Sequence, residues 1–168
     1  GTPFGCSVNP AAGRESEPRA AAAKTPRSLL VIGAGPAGLE LAIRAAERGH
    51  RVRLWERESR IGGQLQLAAQ ACGNAAMARY LAHQSDRLAE VGVELALGVT
   101  ATVEGVLAAQ PDVVAVATGA VPRALEVPGA DDATVLQGWE VLAGRTTPGR
   151  RVALVAMEDH MQPVTIAS

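Results

Sequence analysis

Aromatic side chains are nearly missing from this chain: two Trp, one Tyr and one Phe in 168 residues, or 2%. An excess of charge of one sign is missing too, since 16 Lys and Arg stand against 17 Asp and Glu for a net −1. Nucleic-acid binding calls for a basic footprint or an aromatic stacking platform, and the chain has neither. No apolar run approaches the ~20 residues of a membrane span. The opening residues, Gly1-Thr-Pro-Phe-Gly-Cys6, lack a basic segment followed by an apolar core and so do not read as a secretion signal. Cysteine is limited to Cys6 and Cys72, too few for a disulfide framework, and the expected compartment is the reducing cytoplasm. His50, His83 and His160 are isolated, without metal-ligand spacing, and no Ser/His/Asp or paired-carboxylate arrangement argues for independent catalysis.

What the chain does have is concentrated in residues 29–56. Leu29 to Ile32 is a short apolar run suited to a strand buried on both faces. It leads into Gly33-Ala34-Gly35-Pro36-Ala37-Gly38 and then a helix. In such a turn Gly33 permits the tight bend, Gly35 lets the backbone approach a pyrophosphate, and Gly38 lets the helix pack close to the sheet. Pro36 sits near the helix start, where its missing N–H costs little. The helix N-terminus presents unpaired N–H groups and a positive dipole end to phosphate. Arg51 to Trp55 alternates as a second strand and ends at Glu56, placed where a carboxylate takes ribose hydroxyls. Strand, turn, helix, strand and acid agree on a dinucleotide site. Glu56 repels a 2′-phosphate, favouring NAD or the ADP half of FAD over NADP; the fingerprint alone does not separate those two.

Around this unit, residues 1–28 carry Pro3, Pro10, Pro18 and Pro26 and an alanine patch at 20–23, and read as an extended lead-in without a core of its own. Residues 75–90 have helical spacing ended by Gly92. Val93 to Leu97 and Thr100 to Val103 are strand candidates, and Glu104 to Ala109 a helical turn. Val113 to Ala117 matches a buried central strand and leads into Thr118-Gly119, which reads as a second close backbone approach at the sheet's carboxyl edge or, equally, as an ordinary strand-to-loop turn. Residues 134–143 are weakly helical, and Arg151 to Met157 is a further strand candidate. The expected divisions are therefore 1–28, 29–147 and 148–168, the last the start of a truncated second nucleotide-binding segment or a tail. The chain opens without Met and its final residues read as an interrupted element, as in a piece of something longer.

Four segments give a resemblance: Cys6-Ser-Val-Asn-Pro-Ala-Ala-Gly-Arg-Glu15, the fingerprint through Glu56, Ile61-Gly-Gly-Gln-Leu65, and Pro111-Asp-Val-Val-Ala-Val-Ala-Thr-Gly-Ala-Val-Pro-Arg123. In order and spacing they resemble the carboxyl-terminal FAD/ADP-binding region of the iron–sulfur flavoproteins related to 2,4-dienoyl-CoA reductase and trimethylamine dehydrogenase, whose amino-terminal portion is an old-yellow-enzyme-like FMN barrel. The resemblance implies an α/β, Rossmann-like FAD/NAD(P)-binding fold, a parallel sheet flanked by helices, incomplete relative to the full family domain. It implies that Gly33, Ala34, Gly35, Pro36, Ala37, Gly38, Glu56, Gly63, Gln64 and Leu65 line the site for FAD, or for ADP in the dehydrogenase branch. Ala117, Thr118 and Gly119 would close over the same nucleotide. Arg57 is a candidate beside the ribose, equally a solvated charge. Val103, on the strand expected before Glu104, is a weaker candidate for adenine contact. Gln64 reads as a phosphate or ribityl contact or as a loop surface residue.

By the same resemblance Cys6 corresponds to the last of four cysteines holding a four-iron four-sulfur cluster, a ligand only with three cysteines from elsewhere. On its own it reads as a small buried apolar side chain. The family inserts an NAD(P)-binding domain near residue 150 and later returns to the FAD domain with a Gly-Asp segment. Here Glu158 to Pro163 carries no glycine-rich turn, and His160 reads as a loop histidine. Two functions follow. One is an FAD-binding subunit or fragment of a flavin-dependent oxidoreductase, passing electrons through the cluster and FMN of a larger assembly and inactive as this chain alone. The other is a structural ADP-binding module docking on a partner FMN-barrel dehydrogenase or demethylase subunit. The implied partners are that barrel, or the missing portion of the parent chain, and an electron-transfer flavoprotein, with no nucleic acid and no membrane.

Overall fold

The computed structural model describes residues 6, 9, 11–14, 16, 21–70 and 75–156. Cys72, Met157, His160, Pro3, Pro10 and Pro18 lie outside these.

The apolar run at the start of the fingerprint forms β1 (Ser28–Ile32), in which Leu30 and Val31 are fully buried. α1 (Pro36–Glu47) begins with Pro36 in its first turn and buries Gly38, Leu39, Ala42, Ile43 and Ala45, the one-sided spacing of an amphipathic helix. Gly49, at φ +87°, ends it: Gly49 N–H donates to Ala46 C=O at 2.8 Å and His50 N–H to Ala45 C=O at 3.1 Å. This paired closure turns the chain directly into β2 (Arg51–Glu56). α2 (Gln64–Gln70) follows, then α3 (Ala75–Glu90). α3 closes like α1, with Gly92 N–H on Ala89 C=O at 3.2 Å and Val93 N–H on Leu88 C=O at 3.0 Å, and delivers β3 (Glu94–Leu97). α4 (Val103–Ala109), β4 (Val113–Val116) and α5 (Gly138–Leu142) complete the order.

All strand pairs are parallel, in the order β3-β2-β1-β4. Leu29, Val31, Val52 and Leu54 face α1 and α3, where Leu39, Ile43, Leu81 and Leu88 complete the core. Each fully buried Leu contributes about 1.5–3 kcal/mol relative to an exposed one. Leu30 is buried on the opposite face, where Gly105 of α4 lies against the Trp55 ring and Arg53 Nη2 donates to Ala109 C=O at 2.5 Å. The lead-in is fastened where it meets α1: Ala23 N–H donates to Arg48 C=O at 2.8 Å and Arg48 Nε to Ala21 C=O at 3.2 Å. Among the described residues no helix is long and apolar enough to cross a membrane.

Several sequence expectations are corrected. Thr100 to Val103 is not a strand: the Thr102 hydroxyl accepts from Gly105 N–H at 3.1 Å and caps α4, so Val103 opens a helix. β4 is the edge rather than the centre of the sheet, with Val113, Val114 and Val116 exposed, because no described strand pairs with its far side. Residues 151–156 are exposed and form no strand, having no described neighbour to complete a ladder. α2, not anticipated, is a short helix with no buried residue.

Candidate functional site

In the order β3-β2-β1-β4 the connectivity reverses beside β1, and the crevice at the carboxyl ends of β1 and β4 is where open parallel sheets take ligands. The Gly33–Gly38 turn stands there. Gly33, at φ +102°, donates its N–H to Trp55 C=O at 2.8 Å; a Cβ on it would lie 2.5 Å from Ala117 O. At Gly38 a Cβ would come within 1.9 Å of Gly33 O. Both glycines are therefore required by the chain's own packing.

Gly35 is different. It adopts φ −72°, ψ 177°, extended backbone open to any residue, and a Cβ there would meet nothing within 4 Å. Protein packing gives no reason for glycine at this position. Gly35 is also the N-cap of α1, whose first turn holds no acidic residue and whose start no side chain caps. Leu39 N–H makes a helical bond to Gly35 C=O at 2.9 Å, so the amides of Ala37 and Gly38 lie ahead of it, and an approaching anion meets them together with the dipole's positive end. A bare backbone at Gly35, beside two glycines that hold the turn's shape, fits a diphosphate.

Two other segments enclose the turn. Ala34 donates its N–H to Glu56 Oε2 at 2.7 Å and accepts from Gly62 N–H at 2.7 Å. Glu56 is 7% exposed, and its Oε1 accepts from Glu58 N–H at 2.9 Å. Gly63 packs on the turn, its Cβ position 3.2 Å from Gly35 Cα. From the β4 side, Ala117 N–H donates to Ile32 C=O at 2.8 Å, and Thr118 and Gly119 are exposed at the rim. Gln64, first residue of α2, donates Nε2 to Ala120 C=O at 3.2 Å, bridging the segment after β2 to the one after β4. Leu65 is half-buried against the core, and Pro36 and Ala37 are exposed.

The remaining candidates are exposed. Arg57 is exposed, its Nε 3.2 Å from Glu58 Oε1. Val103 is 71% exposed at the start of α4, on a helix rather than the strand expected of it. Cys6 is an exposed free thiol, so the buried apolar reading does not hold. Among the described residues no group of three His, Cys, Asp or Glu side chains is placed to hold a metal ion. Sequence reasoning missed the amide of Glu58, the carbonyl of Ala120, and the β3–α4 connection, where Gly98 and Val99 donate to the carbonyls of Glu58 and Glu56. These are main-chain groups, and no residue pattern marks them.

Residues 27–155 match the family model of the pyridine nucleotide-disulphide oxidoreductases. The chain belongs to that family. An NADH oxidase of Thermoanaerobacter brockii is 42% identical over 147 residues, which is 84% of this chain and 22% of that protein. Among solved structures, 2-naphthoyl-CoA reductase in complex with 2-naphthoyl-CoA superposes with a TM-score of 0.80 at 34% identity, covering 86% of this chain and 22% of that one. The 6-hydroxypseudooxynicotine amine oxidase of Pseudomonas geniculata gives 0.78 at 29% identity, over 95% of this chain and 26% of that one. These neighbours bear out the resemblance to the 2,4-dienoyl-CoA reductase and trimethylamine dehydrogenase group, and with it the Rossmann-like parallel fold. The chain spans about a quarter or less of the length of these relatives.

Proposed function

We propose that this chain binds the ADP half of FAD and is the nucleotide-binding portion of an iron–sulfur flavoprotein oxidoreductase that transfers electrons. The observation that carries the reading is Gly35, where a Cβ would meet nothing and the backbone is in a conformation any residue adopts, between two glycines that the fold itself demands. The Gly33–Gly38 turn receives the pyrophosphate, Glu56 the ribose hydroxyls, and the Thr118-Gly119 rim closes the other side. When bound, the flavin ring supplies the redox chemistry; these residues bind, orient and shield it. The reading extends to residues 1–28 as a docking segment for an FMN barrel, to Cys6 as a cluster ligand beside three cysteines from elsewhere, to residues 148–168 as the start of a second nucleotide-binding segment, and to a cytoplasmic setting.

Structural ADP is the second reading, supported by the diphosphate turn and the ribose carboxylate being features that ADP and FAD share. Denaturing the purified protein and identifying the released nucleotide by mass spectrometry separates the two. FAD is the expected result and ADP supports the alternative. Release of neither, with no binding on titration with FAD or ADP, overturns both.

A further inference from the structure

We propose that Glu56 is a positioning residue for the phosphate-binding turn, holding it in its receptive shape before any nucleotide arrives. The proposal rests on the nucleotide reading above but concerns bonds within the protein. A carboxylate offers two oxygens and about four acceptor positions. In Glu56 one oxygen takes the Ala34 N–H at 2.7 Å and the other the Glu58 N–H at 2.9 Å, and the side chain is almost wholly buried. Ala34 is itself completely buried, and its carbonyl is held by Gly62 N–H at 2.7 Å. Both polar groups of the residue between Gly33 and Gly35 are therefore tied down, the N–H to the last residue of β2 and the carbonyl to the segment that follows it.

Geometry makes the tie directional. Ala34 immediately precedes the bare residue Gly35, so fixing its peptide fixes the direction in which the Gly35 backbone faces the crevice. The Glu58 amide on the other oxygen keeps the carboxylate from rotating away and holds the loop that leads to Gly63, where a Cβ would lie only 3.2 Å from Gly35 Cα. Charge-assisted bonds of this kind are stronger than neutral ones, the more so for the Ala34 bond, which is buried. With one acceptor position on each oxygen used by the protein, each oxygen keeps another for a ribose hydroxyl. One side chain thus shapes the phosphate turn and receives the sugar without having to choose between them.

Glu56→Gln tests this, because an amide has only one acceptor oxygen and must turn a donor toward one of the two N–H groups. The comparison is between ADP and 2′,3′-dideoxyadenosine diphosphate, which lacks both ribose hydroxyls, measured by calorimetry on wild type and E56Q. The expected result is that E56Q weakens the dideoxy nucleotide about tenfold, as loss of one such bond implies, and ADP by more. Equal affinity of wild type and E56Q for the dideoxy nucleotide, with ADP alone weakened, overturns the proposal in favour of a purely ribose-binding acid. A second measurement uses the wild type without nucleotide: the Ala34 and Glu58 amides should show through-bond NMR coupling to the Glu56 carboxylate carbon and slow hydrogen exchange. In E56Q these two amides should lose protection while those of Leu30 and Leu54 keep theirs. Absence of coupling and of protection in the wild type overturns the proposal even if E56Q does not fold. Failure of the wild type to bind either nucleotide, with the couplings present, retires the nucleotide reading and leaves the positioning role standing.

Discussion

Gly33, Gly35 and Gly38 share a side chain of one hydrogen but are glycine for separable reasons, and substitution should separate them. Alanine at Gly33 would point into Ala117 O and at Gly38 into Gly33 O, so each replacement should cost about 1–3 kcal/mol or more, read as a lowered denaturant midpoint. Alanine at Gly35 meets no atom and keeps an allowed conformation; its entropic gain of about 0.4–1 kcal/mol is offset by a similar loss from alanine at the N-cap of α1, so stability should stay within about 1 kcal/mol of wild type. The same change should weaken nucleotide binding at least about tenfold in calorimetry, since its methyl takes the space of the pyrophosphate. A Gly35→Ala protein that binds as tightly as wild type would refute the phosphate assignment. The roles of Gly33 and Gly38 were legible in the sequence because spacing alone sets them. The second use of Glu56 was not, since it depends on where a backbone amide 22 residues away comes to rest.

At the scale of elements, legibility followed how local the deciding interaction is. α3 was readable end to end, because its apolar spacing and the glycine after its last turn lie within or beside the helix, and the start of α1 was readable from the glycine turn and Pro36. The Thr100–Val103 segment has the β-branched composition of a strand, yet one hydroxyl on the Gly105 amide decides for a helix. Thr102→Ala should accordingly cost about 1 kcal/mol, with hydrogen exchange quickening in α4 while α1 stays protected. β4 and residues 151–156 were misjudged in burial or type because a strand's state depends on neighbours remote in sequence. α3 also carries the sole tyrosine: burial raises the Tyr80 phenol above its ordinary value, and Glu40 on α1 adds to this, while a hydrogen bond from Gln84 opposes it. The protonated phenol therefore favours the folded state. Its contribution should be complete below about pH 10 and fall as pH rises through the raised folded value. Melting temperatures followed from pH 8 to 11 should drop more steeply for wild type than for Tyr80→Phe, and equal slopes would remove Tyr80 as the cause.

For the whole molecule, one parallel sheet brings four loops to a single edge, and the candidate site is made of those loops rather than of any one element. A nucleotide held there binds only the folded chain, so saturation should raise stability by about 2.7 kcal/mol at a hundredfold excess over Kd. Thermal scans with and without FAD or ADP read this directly; a melting temperature indifferent to both at saturating concentration would contradict a site built from these loops. The fold class and the fingerprint's place at the carboxyl edge were legible from the alternation of strand and helix patterns. The joining of Gln64 to Ala120 across the crevice was not, being a contact between residues 56 apart whose side-chain chemistry is generic.

The anchoring of β1 to the start of β4 has a consequence in time. Ser28 N–H bonds Asp112 Oδ2 at 2.7 Å across 84 residues, whereas β1 meets β2 across a much shorter connection. Distant parallel pairing closes late, because the loop must be shut before the contact repays it. During synthesis at ~5–20 residues per second, β1 with its phosphate turn emerges roughly 4–17 seconds ahead of the strand that completes the crevice. Through that interval β1, α1 and β2 can already pair and bury Leu39 and Leu54, whereas the Ala117–Gly119 side of the phosphate turn is added only once β4 has been made.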